Sequence, residues 1–235
     1  MPDTLSAFVV GATGQVGKAI VHELAKTPDF SRVTLFTRRK IDLPSNSDGQ
    51  NDYRKFEQKI VNFDRLAQDH SNEFEGFDVG FCCIGLGIRG KSQEEVQKVD
   101  YDYTLEVAKL AKAGGCKHFN LLSGKYASKD SRFFGIRVKG LVEEAIIQLK
   151  YDRFTSVRPG QLVGGAKDSA TAGEKIFSSI MQYTDCTRAF SCEVPVLARV
   201  LVHNALNVSS GAVEIFENGD IHKIGKELRK QKSTE

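Results

Sequence analysis

Apolar residues along this chain fall into two alternating patterns, short unbroken runs and longer stretches with helical spacing. The runs Ala7 to Val10, Val33 to Phe36, Ile60 to Asn62, Val79 to Ile84, His118 to Leu122 and Phe154 to Val157 are bounded by turn residues and read as strands. Between them, helices are clearest at Val16 to Ala25, Ser92 to Ala113 and Val138 to Leu149. In the second of these, Val96, Val99, Tyr103, Val107 and Leu110 recur on one face. Strand and helix taking turns in this way predict an α/β protein with a doubly wound, mostly parallel sheet.

Two stretches break the rhythm. Asp42 to Phe56, with Pro44, Gly49 and many Ser, Asn and Asp residues, reads as a mobile surface loop. Gly164 to Ser191 starts as a Gly-, Lys- and Ser-containing linker and leads into a helix around Glu174 to Tyr183. The length of 235 residues fits one domain over 1–235, in which 164–235 adds the substrate or partner side. The basic end, Lys226 to Lys232, reads as a solvated helix end rather than a nuclear address, and no internal repeat is present.

Charge narrows the class of partner. The 33 basic and 30 acidic residues nearly balance, leaving +3, which is too little for the electrostatic footprint of a nucleic-acid binder. The five cysteines, Cys82, Cys83, Cys116, Cys186 and Cys192, include no C-x-x-C pair and read as reduced thiols, with Cys82 and Cys83 inside an apolar strand. The first strand leaves no room for a secretory leader, and no run of about 18 apolar residues exists to span a membrane. The expectation is a cytoplasmic protein, with nuclear presence or attachment to an organelle surface through a partner left open. His22, His70, His118, His203 and His222 have no metal-ligand spacing.

Chemistry enters at the first strand–helix junction, Gly11-Ala-Thr13-Gly14-Gln15-Val16-Gly17. A G-x-x-G-x-x-G run in that place is a dinucleotide-binding fingerprint and makes the fold a Rossmann fold. Gly11 permits the tight turn, Gly14 the approach of a pyrophosphate to backbone N–H groups, and Gly17 close packing of the helix. About 20 residues past the glycines, a site for NAD carries an acid that holds the ribose 2′-hydroxyl. Here the place reads Thr37-Arg38-Arg39-Lys40, and guanidinium groups grip a 2′-phosphate instead, so the expected cofactor is NADP(H). Topology alone offers Asp64 to the adenine amino group and Ile84-Gly85 to the adenine ribose.

Five segments then line up in register: Gly11-Ala-Thr-Gly14-x-x-Gly17, Arg38-Arg39-Lys40, Asp78 to Gly85, Arg89-Gly-Lys91 and Leu110 to Ser123. With Val138-Lys-Gly140, Tyr151-Asp-Arg153, Arg158-Pro-Gly160 and Ile221-His-x-x-Gly225-Lys226, they cover nearly the whole chain. The chain resembles the Tat-interacting-protein family of atypical short-chain dehydrogenases. The resemblance implies a Rossmann domain carrying NADPH on Thr13, Gly14, Gln15, Val16, Arg38, Arg39, Ile84, Gly85, Lys139 and Leu162. It also implies protein partners among nuclear-transport and transcription components, linked to growth control and apoptosis.

Short-chain dehydrogenases reduce carbonyls with a serine and a Y-x-x-x-K pair that one helix face presents to substrate and nicotinamide. Ser123 follows the fifth strand where the serine belongs, and Lys139 stands where the lysine belongs. The tyrosine position, however, is Gly135, which offers no proton and weakens a helix interior by about 1 kcal/mol relative to alanine. Tyr126 is the nearest phenol in sequence; it is either recruited by a loop folding over the cofactor or a plain surface aromatic. Arg158-Pro159-Gly160 is equally a turn beside the nicotinamide and ordinary turn chemistry. The expected function is therefore an NADP(H)-binding, cofactor-linked regulator of protein partners. The alternative is an NADPH-dependent oxidoreductase on a small carbonyl substrate, using Ser123, Lys139 and Tyr126 or a water.

Overall fold

A computed structural model describes residues 4–44, 51–86, 90–165, 189–207 and 211–231. Its frame is a seven-stranded sheet, every pair parallel, built from β1 (Leu5–Val10), β2 (Phe30–Thr37), β3 (Phe56–Ile60), β4 (Val79–Cys82), β5 (His118–Leu122), β6 (Arg153–Arg158) and β9 (Val213–Glu217). Their order, β3-β2-β1-β4-β5-β6-β9, reverses direction beside β1, which leaves a crevice at the strand C-termini. A second, two-stranded parallel sheet joins β7 (Gln161–Val163) to β8 (Ser191–Glu193).

Helices cover both faces, because strands of a parallel sheet are apolar on both sides. On one face α1 (Gln15–Lys26), α6 (Val194–Leu206) and α7 (Asn218–Gln231) close over Val9, Leu35 and Phe81. On the other, α3 (Gln93–Gln97), α4 (Thr104–Ala113) and α5 (Phe134–Ile147), with the short α2 (Leu66–Asp69), enclose an aromatic cluster. Phe8 stands at its centre: its ring lies 5.4 Å from Phe77 and 5.6 Å from Phe74, both edge-on. Phe74 in turn stacks on Phe36 at 4.1 Å. Such pairs add about 0.5–1.5 kcal/mol each beyond burial.

The central strands fall where the hydrophobic runs predicted, and the edges do not. The third strand is Phe56–Ile60 rather than Ile60 to Asn62: this edge strand has Glu57, Gln58 and Lys59 between Phe56 and Ile60, so it carries no apolar run. Asn62 instead caps the next turn, accepting the Asp64 N–H at 3.0 Å. The seventh strand, Val-Glu-Ile-Phe-Glu, is missing from the expected six for the same reason. Residues 191–231 contribute β9 to the sheet and two helices to the layer over α1, so this part of the chain completes the fold. The expected helix at Glu174 to Tyr183 lies outside the described residues.

The Asp42 to Phe56 stretch is not uniformly a loose loop. Tyr53 is buried, accepts or donates a 3.1 Å bond with His22 Nδ1, and lies in the core beside α1, while Asp52 N–H donates to Ala25 O at 2.8 Å. At the far edge, His118 Nε2 meets Thr155 Oγ1 at 2.9 Å under the Arg153–Glu214 pair; burial pushes its pKa down to about 3, so the ring stays neutral. Among the described residues, no helix is long and apolar enough to cross a membrane.

Candidate dinucleotide site

The β1–α1 turn makes the floor of the site. Gly11 has φ +87°, a left-handed conformation, and a Cβ there would lie 2.6 Å from Cys83 O of the strand alongside. A Cβ on Gly17 would lie 2.1 Å from Gly11 O, so only glycine lets the first turn of α1 close against its own entry loop. Gly14 is the N-cap, with no side-chain cap and no acidic residue in the first turn. The free N–H groups at this helix end therefore keep their partial positive charge for an anion.

Above this floor opens a cavity of about 490 Å³. It brings together Gly11, Thr13, Gly14, Arg38, Arg39, Ile84 and Gly85, which the sequence had picked from distant positions. Arg38 and Arg39 are exposed and have no acidic partner among the described residues, so both charges are available. Gln15, Val16 and Gly17 continue from the floor into α1; Gln15 packs under Gly165, whose added Cβ would lie 3.1 Å from Gln15 Cβ. Leu162, in β7, is half-buried and packs on the apolar layer that holds Val16 and Cys192.

Several wall residues escaped the sequence reading. Thr37 ends β2 in the cavity wall with its hydroxyl buried and without a partner among the described residues, a signal hidden by its apolar neighbours. Phe63, Val99 and Tyr103 also line the cavity, with the Phe63 and Tyr103 rings 5.5 Å apart. Val99 and Tyr103 were expected among the recurring apolar residues of one regular helix over Ser92 to Ala113. Between α3 and α4, however, Lys98–Tyr103 forms a π-helical turn, and the changed pitch turns these two side chains to the cavity.

Asp64, the adenine candidate, has a side chain that is 55% exposed; Phe63 rather than Asp64 stands in the wall. It is taken up by Lys98 Nζ at 2.5 Å and by the Tyr103 hydroxyl at 2.6 Å, and these bonds, that of Lys98 first, hold its carboxyl below the usual range.

The other end is chemically sparser. Ser123 follows β5, buried, with no hydrogen-bond partner for its hydroxyl among the described residues. Lys139 reaches from α5 to the β4 end: its Nζ lies 3.2 Å from where a Gly85 Cβ would stand, and 3.1 Å from Asp100 Oδ2. Asp100, unflagged in the sequence, is 3% exposed. Gly135 is not in a helix interior as expected: α5 starts earlier than its apolar periodicity indicates, with Phe133 as N-cap, so Gly135 sits in the first turn. Its weakening of the helix is correspondingly small, but the phenol is still absent.

Tyr126 is 62% exposed at φ +67°, with Lys125 Nζ 5.0 Å from its ring centre, which is the placement of a surface aromatic. Arg158 is committed elsewhere, held by Glu143 at 2.5 Å and Glu217 at 2.8 Å; the Glu143 hydrogen bond drives its pKa upward.

The arrangement fits a dinucleotide: a positive helix end without a competing acid, glycine backbone where a phosphate must approach, and buried hydroxyls lacking partners. Among the described residues no cluster of His, Cys, Asp or Glu suits a metal ion.

Comparison with known proteins agrees. A family model described as NAD(P)H-binding matches residues 11–179. The chain is 37% identical to the protein HTATIP2 of Rattus norvegicus over 225 residues, 94% of this chain and 90% of that one. It is 31% identical to FMP52-1 of Scheffersomyces stipitis, a protein named as mitochondrial, over 92% of each chain. Two solved structures share the fold: UDP-glucuronic acid 4-epimerase from Bacillus cereus with NAD (TM-score 0.67, 13% identity, 91% of this chain and 76% of that one) and the Bordetella bronchiseptica enzyme WbmH with NAD+ (TM-score 0.68, 13% identity, 98% and 82%). With both the family model and the rat relative matched over most of its length, the chain belongs to the NAD(P)H-binding Rossmann proteins, and among them to the atypical short-chain dehydrogenase family that includes HTATIP2.

Proposed function

We propose that this protein binds NADP(H) and acts as a cofactor-linked regulator of protein partners, its loops responding to the occupancy and redox state of the site. The observation that carries this reading is a frame that keeps its cofactor-holding parts and lacks the proton donor: Gly135 stands one helical turn before Lys139, and Tyr126 faces solvent.

On this reading the residues divide the cofactor as follows. The turn Gly11, Thr13 and Gly14 with the first turn of α1, Gln15 to Gly17, takes the pyrophosphate. Arg38 and Arg39, helped by the Thr37 hydroxyl, take the 2′-phosphate. Ile84 and Gly85 lie along the adenine ribose and Lys139 along the nicotinamide ribose, with Leu162 at the nicotinamide end. Asp64 acts on the adenine through Tyr103, whose ring it anchors. When bound, the nicotinamide can give or accept a hydride, but reducing a carbonyl also needs a proton, and among the described residues the helix position for the phenol is Gly135 while Tyr126 faces solvent. The partners that the family resemblance brings are nuclear-transport and transcription components. A cytoplasmic or nuclear place and the organelle indicated by the names of the yeast relatives are both open to such a regulator.

A second reading has one observation of its own. The Ser123 hydroxyl is buried without a hydrogen-bond partner among the described residues, which supports its use in orienting a substrate carbonyl, with Lys139 and a water supplying the proton. In this case the protein is an NADPH-dependent oxidoreductase.

Titrating the protein with NADPH and NADH, then scanning aldehydes and ketones for cofactor oxidation, separates the two. Tight NADPH binding without turnover, together with carbonyl reduction appearing in Gly135→Tyr, is the expected result. Steady turnover by the unmodified protein would sink the regulatory reading in favour of the enzyme.

A further inference from the structure

The backbone pairing of β5 with β6 runs on past both strands: the Ser123 N–H donates to Val157 O at 2.9 Å, and the Lys125 N–H donates to Pro159 O at 3.0 Å. Side chains two residues apart in such a ladder share a face, about 6.6 Å apart along it, so Lys125 is the next side chain outward from the buried Ser123. The Lys125 ammonium donates to Ala189 O and lies 5.0 Å from the ring centre of Tyr126 and 4.6 Å from that of Phe190. The carbonyl uses one of its three donors. Lys139, Arg153 and Arg158, which are also partly buried, each meet a carboxylate, whereas Lys125 meets none among the described residues. The rings beside it ease its loss of water but leave its charge unneutralised.

Those two rings are 62% and 59% exposed, and both are held in place. Phe190 O accepts the Gln161 N–H at 2.7 Å, which ties its backbone to the start of β7. Tyr126 keeps φ +67°, a conformation that non-glycine residues hold where the surrounding structure imposes it, and such residues gather at ligand sites. Flat apolar surface and an unneutralised cation are thus offered together, one strand step from the Ser123 hydroxyl.

We infer that Lys125, Tyr126 and Phe190 form a subsite for an aromatic carboxylate. The carboxylate pairs with the remaining donors of the ammonium, and the aromatic body packs on the two rings. A carbonyl at the other end of such a ligand is directed inward to the Ser123 hydroxyl, which has no partner among the described residues. None of the three residues lines the cofactor cavity, so binding here needs neither cofactor nor turnover. What the ligand does rests on the readings above: beside a regulator's cofactor it is an effector, and beside an enzyme's it is the substrate class.

The probe is 4-acetylbenzoate, which has a carboxylate and a ketone at opposite ends of one ring; 4-acetylbenzamide is its neutral counterpart. Each is titrated calorimetrically into the full chain, free and saturated with NADP+, in which no hydride is available to consume the ketone. The acid should bind about 10-fold more tightly than the amide. Lys125→Met, which keeps the stem and removes the charge, should remove that preference while the amide stays within about twofold. Phe190→Ser should weaken acid and amide alike, by about 5-fold. The variants are compared on protein whose circular dichroism matches wild type.

Equal affinity of wild type for acid and amide, or no binding of either, would overturn the subsite without recourse to any variant. A preference for the acid that survives in Lys125→Met would place the anion elsewhere and overturn it as well. Failure of NADP+, NADPH and NADH to bind would overturn the dinucleotide reading instead, while the titrations of the free protein still decide on the subsite.

Discussion

The two ends of this site are made of different material. On the proposed reading, the adenine and pyrophosphate end is mostly backbone and fixed charge: a glycine turn packed against Cys83 O, a helix end, and two arginines with no acidic partner among the described residues. The end proposed for the nicotinamide is made of single side chains on separate elements, Ser123 after β5, Lys139 on α5 and Asp100 on the π-helical turn. Binding at the first end rests on the turn and on the two arginines together. Chemistry at the second depends on each group separately, so on the proposed reading a glycine at position 135 separates holding a cofactor from using it.

The comparison is broken hardest at the glycine turn. Gly17→Ala places a Cβ 2.1 Å from Gly11 O, with only backbone there to give way. Dinucleotide affinity should fall about 100-fold or more, as measured by calorimetric titration on protein whose circular dichroism is unchanged. Wild-type affinity in this variant would mean that the turn is not the binding floor.

Next in size is the arginine pair. Arg38→Ala with Arg39→Ala should weaken NADPH about 30-fold while NADH stays within about twofold, because charge-assisted bonds to a 2′-phosphate are lost and a hydroxyl has none to lose. Equal weakening of both cofactors would show that these charges serve the pyrophosphate.

The smallest expected effect is at the exposed phenol. Tyr126→Phe should change neither cofactor affinity nor any residual turnover by more than about twofold, against a fall of about 100-fold if that hydroxyl were a general acid.

How much of this was readable in the chain depended on whether a residue's role was local. The turn at Gly11 to Gly17 and the basic run after β2 were legible because strand, turn and helix are consecutive, so spacing carries geometry. Ser123 and Lys139 were reached through the family resemblance; in the structure Ser123 directly follows β5 and Lys139 lies within α5. Asp100 was not legible: an acid within an apolar helical stripe gives no sign of whether it faces solvent or a lysine 39 positions later. Thr37 looked like one more strand residue, and Val99 and Tyr103 like core, since periodicity assumes a constant pitch that the π-helical turn breaks.

The sequence by itself determined the fold class, the βα crossovers and the floor of the site. Continuous apolar runs can only be buried on both faces of a parallel sheet, and a left-handed turn crowded by a neighbouring strand admits only glycine. The tertiary structure alone decided the edge strands β3 and β9, which carry several polar residues and leave Ile60, Val213 and Ile215 exposed, so that only backbone pairing with β2 and β6 makes them strands. It also decided the bond from Leu86 to Asp100 and the ion pair from Asp100 to Lys139. Those contacts join three elements at a distance of a few ångströms, and no spacing along the chain encodes such a meeting before the sheet has brought the elements together.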